Sequence, residues 1–166
     1  MGMKFRRLDY LGLDLGREMA GLHRAELTGL EVVVPVPLHW LRRLGRGFNQ
    51  AEEIARGLAA ELGLPVVAAL RRRRPTPHQS RLTRAARLRN LVAAFHVRRP
   101  ATIRGRRVLL VDDVATTGST IEASAAVLRA AGAAEVTALT AGRTPETEHA
   151  SRFAALAGRG MGVGAA

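Results

Sequence analysis

The chain has 166 residues, with 26 Lys plus Arg against 14 Asp plus Glu and a formal net charge of +12. This length suits one domain whose core needs no covalent staple, and the absence of cysteine removes disulfides, thiolate zinc sites, iron–sulfur clusters and thiol nucleophiles together. The longest apolar stretch, Val32 to Leu38, is too short to span a bilayer and no hydrophobic signal core opens the chain, so a cytoplasmic protein with no membrane partner is expected.

In chain order, hydrophobic periodicity predicts a first helix from Asp14 to Leu27, ending near Gly29. Glu31 to Pro37, EVVVPVP, is a β-branched run closed by prolines and predicts a buried strand that turns sharply into a loop. A basic loop, LRRLGRG, follows. Asn49 with Glu52 three residues on forms a capping-box pattern for a helix carrying Ile54, Leu58 and Leu62, with Gly63 and Pro65 ending it. Val66 to Leu70 predicts a short strand. Residues 71 to 90 are polar and cationic and predict a long loop with a helical turn at Thr83 to Asn90. Leu91 to Val97 and Arg107 to Asp112 predict strands, the second central and covered on both faces because VLLV is continuously apolar. A helix from Thr120 to Ala131 and a strand from Val136 to Ala141 complete the pattern. The expected fold class is therefore α/β, a single domain with an open, mainly parallel twisted sheet flanked by helices and right-handed crossovers. Residues 1–143 form this domain, and residues 144–166 are expected to be a partly disordered extension with a short helix from Glu146 to Leu156.

The charge is unevenly placed. Thirteen arginines and no carboxylate lie between Arg71 and Arg107, so the remainder of the chain is close to neutral. A basic total suggests a polyanion such as nucleic acid, yet this window offers Phe95 as its only aromatic, which disfavours base stacking on single strands. A phosphate-backbone binder stays open. Arg71 to Arg74 fit a solvated charged run, and Trp40 and Phe48 fit packing residues.

The chemistry concentrates in Val108 to Thr120, VLLVDDVATTGST. A buried strand brings Asp112 and Asp113 to its C-terminal end, where open α/β sheets bind ligands. Ala115, Thr116, Thr117, Gly118, Ser119 and Thr120 then run into a helix N-terminus, and such a loop can wrap a phosphate with backbone N–H groups, hydroxyls and the helix dipole. Carboxylates repel phosphate, so the acids must address vicinal hydroxyls or a hydrated divalent cation on the same ligand. A phosphorylated sugar with a free diol meets both demands. The alternative is a solvated strand end followed by an ordinary helix cap. A Walker A loop is excluded because the only lysine is Lys4, and a phospho-accepting receiver because no aspartate follows Asp113. His23, His39, His78, His96 and His149 have no metal-ligand spacing.

VLLVDDVATTGST resembles the phosphoribosyl diphosphate (PRPP) motif of type I phosphoribosyltransferases, with Ala115 where a larger aliphatic is more usual. VVVPVPLH at Val32 to His39, RGFNQAEEIA at Arg46 to Ala55, TPHQSRLTRAARLRNLVAAF at Thr76 to Phe95 and KFRRLDYLGLDLGREMA at Lys4 to Ala20 are similar, in order and spacing, to the competence protein ComF family of amidophosphoribosyltransferase-like proteins. The resemblance covers about residues 4 to 143. The family's cysteine-rich zinc-binding segment has no counterpart here, which makes this a short form. The resemblance implies that Asp112 and Asp113 hold the ribose hydroxyls, directly or through Mg²⁺, and that Ala115 to Thr120 hold the 5-phosphate. It also implies that Pro37, Leu38 and His39 meet the diphosphate.

Arg81, Arg84 and Arg87 share a face if their segment is helical. They then form either a flexible lid over the ligand or plain surface, and His39 is likewise a loop ligand or an exposed residue. In this reading the cationic window and Mg²⁺ neutralise the leaving diphosphate. Two functions follow from the resemblance. One is a Mg²⁺-dependent phosphoribosyltransferase acting on an amine or nitrogen base, with a homodimer as a related property. The other is a non-catalytic accessory protein of DNA uptake that binds a partner or nucleic acid.

Overall fold

The computed structural model describes residues 3–38, 49–72 and 84–143. The basic loop after Leu38, the arginines from Arg73 to Arg81 and everything beyond Arg143 lie outside the described residues, as does the helix expected at Glu146.

Four apolar residues in succession force a strand to be covered on both sides, and that strand organises the molecule. Strand β4, Arg107–Ala115, lies between β1, Val32–Pro35, and β5, Glu135–Arg143, with both pairings parallel. Val32 registers with Val108 and Pro35 with Val111, while Arg107 registers with Glu135 and Ala115 with Arg143. Side chains alternate along a strand. Val108 and Leu110 therefore join Val32 and Val34 in one core with Ile121, Ala125 and Leu128. Leu109 and Val111 join Val33 in a second core with Met19, Ile54 and Leu58. Val32 to Val34 and Val108 to Val111 are fully buried, so the expected two-faced central strand is what the chain forms.

The second core is covered by α1, Met3–Leu22, and α2, Gln50–Leu62. The first is covered by α4, Ser119–Ala130. Helix α1 starts well before the expected Asp14 and ends at Leu22, and residues 23–29 continue as turns in which Leu27 is still buried. Helices α1 and α2 meet through glycines. A Cβ on Gly57 would overlap the Leu13 carbonyl oxygen and stand 3.0 Å from Gly16 Cα, and one on Gly16 would overlap the Ile54 carbonyl oxygen.

Helix α2 ends as expected, with Gly63 at φ 67° donating to Ala59 O. Its start differs. The Asn49 side chain makes no cap, and its Nδ2 donates instead to Val36 O at 3.2 Å, tying α2 to the end of β1. Glu52, the expected capping partner, pairs with Arg56 at 2.9 Å. Changing Asn49 to Ala removes a tie of about 1 kcal/mol and is expected to lower the thermal midpoint by about 2–4 °C. An unchanged midpoint in a melting experiment would show that the tie contributes nothing.

Two expected strands are redistributed. Val66 makes only a single parallel bridge to Val33, and the chain then bends through a tight turn in which Ala69 N donates to Val67 O. Leu70–Arg72 becomes β2, antiparallel to β3, Phe95–Val97, in a separate two-stranded sheet. The residues just before β3, expected as strand from Leu91, instead complete α3, Arg84–Ala94. Alanine, leucine and arginine favour helix, and a four-residue apolar run fits either period.

Candidate functional site

The site grows from the end of β4. Its ladder continues past the expected stop at Asp112 to Ala115, so both acids are held within a paired strand rather than in a free loop. Asp113 lies on the side covered by α1 and α2. Asp112 is buried and its Oδ1 accepts from Asp113 N at 3.0 Å. Asp113 is half-buried and its Oδ1 accepts from Val114 N at 2.9 Å. Asp113 Oδ2 meets no partner among the described residues.

The following loop presents Thr116 and Thr117 to solvent while Ala115 and Gly118 are buried. Gly118 takes φ 71°, a left-handed conformation that costs glycine nothing, and it places the start of α4 one residue earlier than expected. Thr117 Oγ1 and Ser119 Oγ are 2.9 Å apart, and Ser119 N donates to Thr117 Oγ1 at 3.4 Å. Gly118, at the N-cap, brings no capping side chain, and of the α4 N–H groups Thr117 Oγ1 meets only that of Ser119. The first N–H groups of a helix have no intrahelical acceptor, so those of Thr120 and Ile121 face the loop with the positive end of the dipole behind them.

Pro37 and Leu38 emerge half-buried from β1 beside β4, where Val36 N donates to Val111 O at 2.8 Å. The structure thus brings Pro37, Leu38, Asp112, Asp113 and the loop 115–120 to one end of the sheet. His39 and Arg81 lie outside the described residues. Arg84 and Arg87 belong to α3, which packs on α4 and β3.

The expected cationic cover of this site is not uniform. Of the run Arg71 to Arg74, Arg71 is exposed as expected, while Arg72 stacks over the Phe95 ring at 5.3 Å, and Phe95, itself buried, offers no stacking face. Arg98 to Arg107 lead into the N-terminal end of β4, away from the acids.

A feature that sequence reasoning missed lies beside Asp113. A cleft of about 260 Å³ opens between Leu11 and Leu15 of α1, Gln50 and Ile54 of α2, and Asp113 and Val114 of β4. Leu11, Leu15 and Val114 are three of the four large hydrophobic side chains exposed among the described residues. The spacing of Leu11 and Leu15 is a helical signal, hidden because the helix was expected to begin only at Asp14.

The phosphoribosyl transferase domain family matches residues 44–159. The chain belongs to that family. As a phosphoribosyl transferase domain it is 37% identical over 140 residues to DNA utilization protein YhgH of Escherichia coli (strain K12), covering 81% of this chain and 61% of the relative. It is 36% identical over 135 residues to Competence protein F of Haemophilus influenzae, covering 78% of this chain and 56% of that protein. The second of these carries the competence naming that the ComF-like motifs pointed to, and this phosphoribosyl transferase domain spans less than two thirds of the length of either relative.

Among solved structures, the fold is similar to an allosteric regulatory enzyme of purine biosynthesis. The TM-score is 0.56 at 24% identity, covering 78% of this chain and 25% of the other. It is also similar to the glutamine PRPP amidotransferase of B. subtilis, with a TM-score of 0.54 at 24% identity, covering 86% and 27%. Both establish the fold of this phosphoribosyl transferase domain, a parallel sheet flanked by helices. No helix among the described residues is long and apolar enough to cross a membrane.

Proposed function

We propose that the C-terminal end of the sheet binds PRPP and transfers its phosphoribosyl group to an amine or nitrogen base with release of diphosphate. The observation that carries this reading is the juxtaposition of Asp112 and Asp113 with the N-terminus of α4 across the loop 116–118. The loop and the first N–H groups of α4 receive the 5-phosphate, and the carboxylates accept hydrogen bonds from the ribose hydroxyls. Pro37, Leu38 and His39 flank the diphosphate.

Mg²⁺ fits this donor set. Two carboxylates supply hard oxygens, and Mg²⁺ is commonly held by one or two carboxylates together with substrate phosphates and waters. Among the described residues no group of three or more His, Cys, Asp or Glu could hold a metal alone, so the ion would arrive with the substrate. Bound there by Asp112 and Asp113, it would neutralise charge growing on the leaving diphosphate.

In the reaction the acceptor nitrogen forms a bond to ribose C1 as the C1–oxygen bond to diphosphate breaks. Positive charge develops at the ring, and the carboxylates beside it stabilise that charge. The cleft next to Asp113 suits the acceptor, because Leu11, Leu15 and Val114 offer apolar surface to a base beside the acid. Arg81, Arg84 and Arg87 would close over the ligand as a lid.

The test is a screen of amines and nitrogen bases for PRPP consumption. With an acceptor so found, Val114→Trp, which fills the cleft, is expected to raise the acceptor KM at least about tenfold and to change the PRPP Kd less than about twofold. Equal effects on both ligands would show that the cleft is not a separate acceptor site. A second reading is favoured by the names of the relatives: a non-catalytic accessory protein of DNA uptake that uses the same fold to bind a partner or nucleic acid. PRPP binding with no consumption across the screen would support it.

A further inference from the structure

Among the described residues, one part of the cationic window lies away from the acid pair. Residues 98–107 hold Arg98, Arg99, Arg104, Arg106 and Arg107 with no acid among them. Arg107 is engaged, with its Nε 3.8 Å from Glu31 Oε2. Arg98, Arg99, Arg104 and Arg106 are exposed, and their guanidinium groups make no hydrogen bond or ion pair among the described residues. Glu31 and Glu135 are the carboxylates at the starts of β1 and β5, and Arg129 near them donates to Val136 O.

This segment is built rather than loose. Gly105 takes φ 71° and donates to Gly132 O, and Ala134 N donates to Arg106 O, so Arg104 and Arg106 flank a turn bonded to the entry of β5. Arg104 rests its aliphatic stem on Gly132, where a Cβ would come within 3.2 Å of Arg104 Cγ. Arg98 N donates to Ala69 O, anchoring the other end of the segment.

Strand β4 runs from Arg107 through Asp112, which separates Arg106 from the acid pair by roughly 20 Å. These arginines cannot reach a small ligand held at the acid pair. We infer that the N-terminal end of the sheet, through Arg98, Arg99, Arg104 and Arg106, is a docking surface for the phosphate backbone of a nucleic acid. Guanidinium forks match phosphate oxygens in pairs. Residues 98–107 and 132–135 expose no large apolar side chain, whereas protein interfaces centre on apolar or aromatic anchors and peripheral membrane helices insert an apolar face. Phe95 is buried, so backbone contact without base stacking is the mode expected.

The experiment is fluorescence anisotropy of the full chain with a labelled 20-base-pair duplex of arbitrary sequence, over a range of salt concentrations. Removing four phosphate contacts changes the slope of log K against log [salt] by about 3–4. The variant with Arg98, Arg99, Arg104 and Arg106 all changed to Gln is expected to lose that much slope. The control variant Arg17→Gln, Arg24→Gln, Arg56→Gln, on the α1–α2 side, is expected to change it by less than about 1. Two double variants, R98Q/R99Q and R104Q/R106Q, each expected to lose about half of the slope, stand in if the quadruple variant fails to fold. No duplex binding by the wild type, equal losses in pole and control variants, or binding to anionic phosphatidylserine vesicles but not to the duplex would overturn the inference. The outcome is independent of PRPP binding at the opposite end.

Discussion

Changing Asp112 and Asp113 together to Asn is expected to weaken PRPP binding by at least about 100-fold, read by calorimetry, while the thermal midpoint moves by only a few degrees. Hydrogen bonds to a charged group contribute about 1.5–3 kcal/mol each. Loss of one such bond at each acid amounts to about 3–6 kcal/mol, and about 1.4 kcal/mol is tenfold in affinity. The fold tolerates the change for a specific reason. Asp112 Oδ1 and Asp113 Oδ1 both serve as acceptors for the next backbone N–H, and an asparagine carbonyl at the same position accepts equally. Undiminished binding by this variant would remove the acids from the ligand site.

The glycine crossing of α1 and α2 gives the largest expected effect on stability. Gly57→Ala would normally favour a helix by up to about 1 kcal/mol. Here the new methyl meets the Leu13 carbonyl oxygen and Gly16 Cα, which are backbone atoms and cannot swing aside. Helix α1 must move away as a unit, and overpacking of this kind costs about 1–3 kcal/mol, occasionally more. The expected result is a midpoint lowered by about 5 °C or more. Gly21→Ala, also in α1 but with nothing within 4 Å of the added Cβ, is expected to leave the midpoint unchanged or raise it. Equal shifts for the two substitutions would contradict the close crossing. Because Leu11 and Leu15 of α1 line the cleft, a displaced α1 also alters the acceptor side, so Gly57→Ala is expected to weaken acceptor use beyond its effect on folding.

The parts of the fold that could be read from residues were those with one dominant physical cause. VLLV had to be a doubly covered strand, and Gly63 before Pro65 had to end a helix. Local rules failed where tertiary contacts outbid them. Asn49 has a complete capping box in sequence, yet its amide is taken by Val36 O across the chain. The apolar residues before Phe95 fit a strand until their helix-favouring neighbours Ala85, Ala86 and Leu88 are weighed.

The same division holds for the site. The acids and the threonine-rich loop lie within thirteen consecutive residues, so their proximity was readable. The cleft is assembled from α1, α2 and β4, and contacts between elements so far apart in the chain leave no local signature. Charge showed the opposite difficulty. Arg71 to Arg107 is one block in sequence, but folding sends Arg72 onto Phe95 and Arg98 to Arg106 toward the end of the sheet opposite the acids.

The central claim, that this chain binds PRPP where β4 ends, is tested most directly by isothermal titration of the full chain with PRPP, with Mg²⁺ and with EDTA. The account predicts saturable binding at one site per chain in Mg²⁺ and at least about tenfold weaker binding in EDTA. No heat of binding in either condition, with the chain shown to be folded by its circular dichroism, would contradict it.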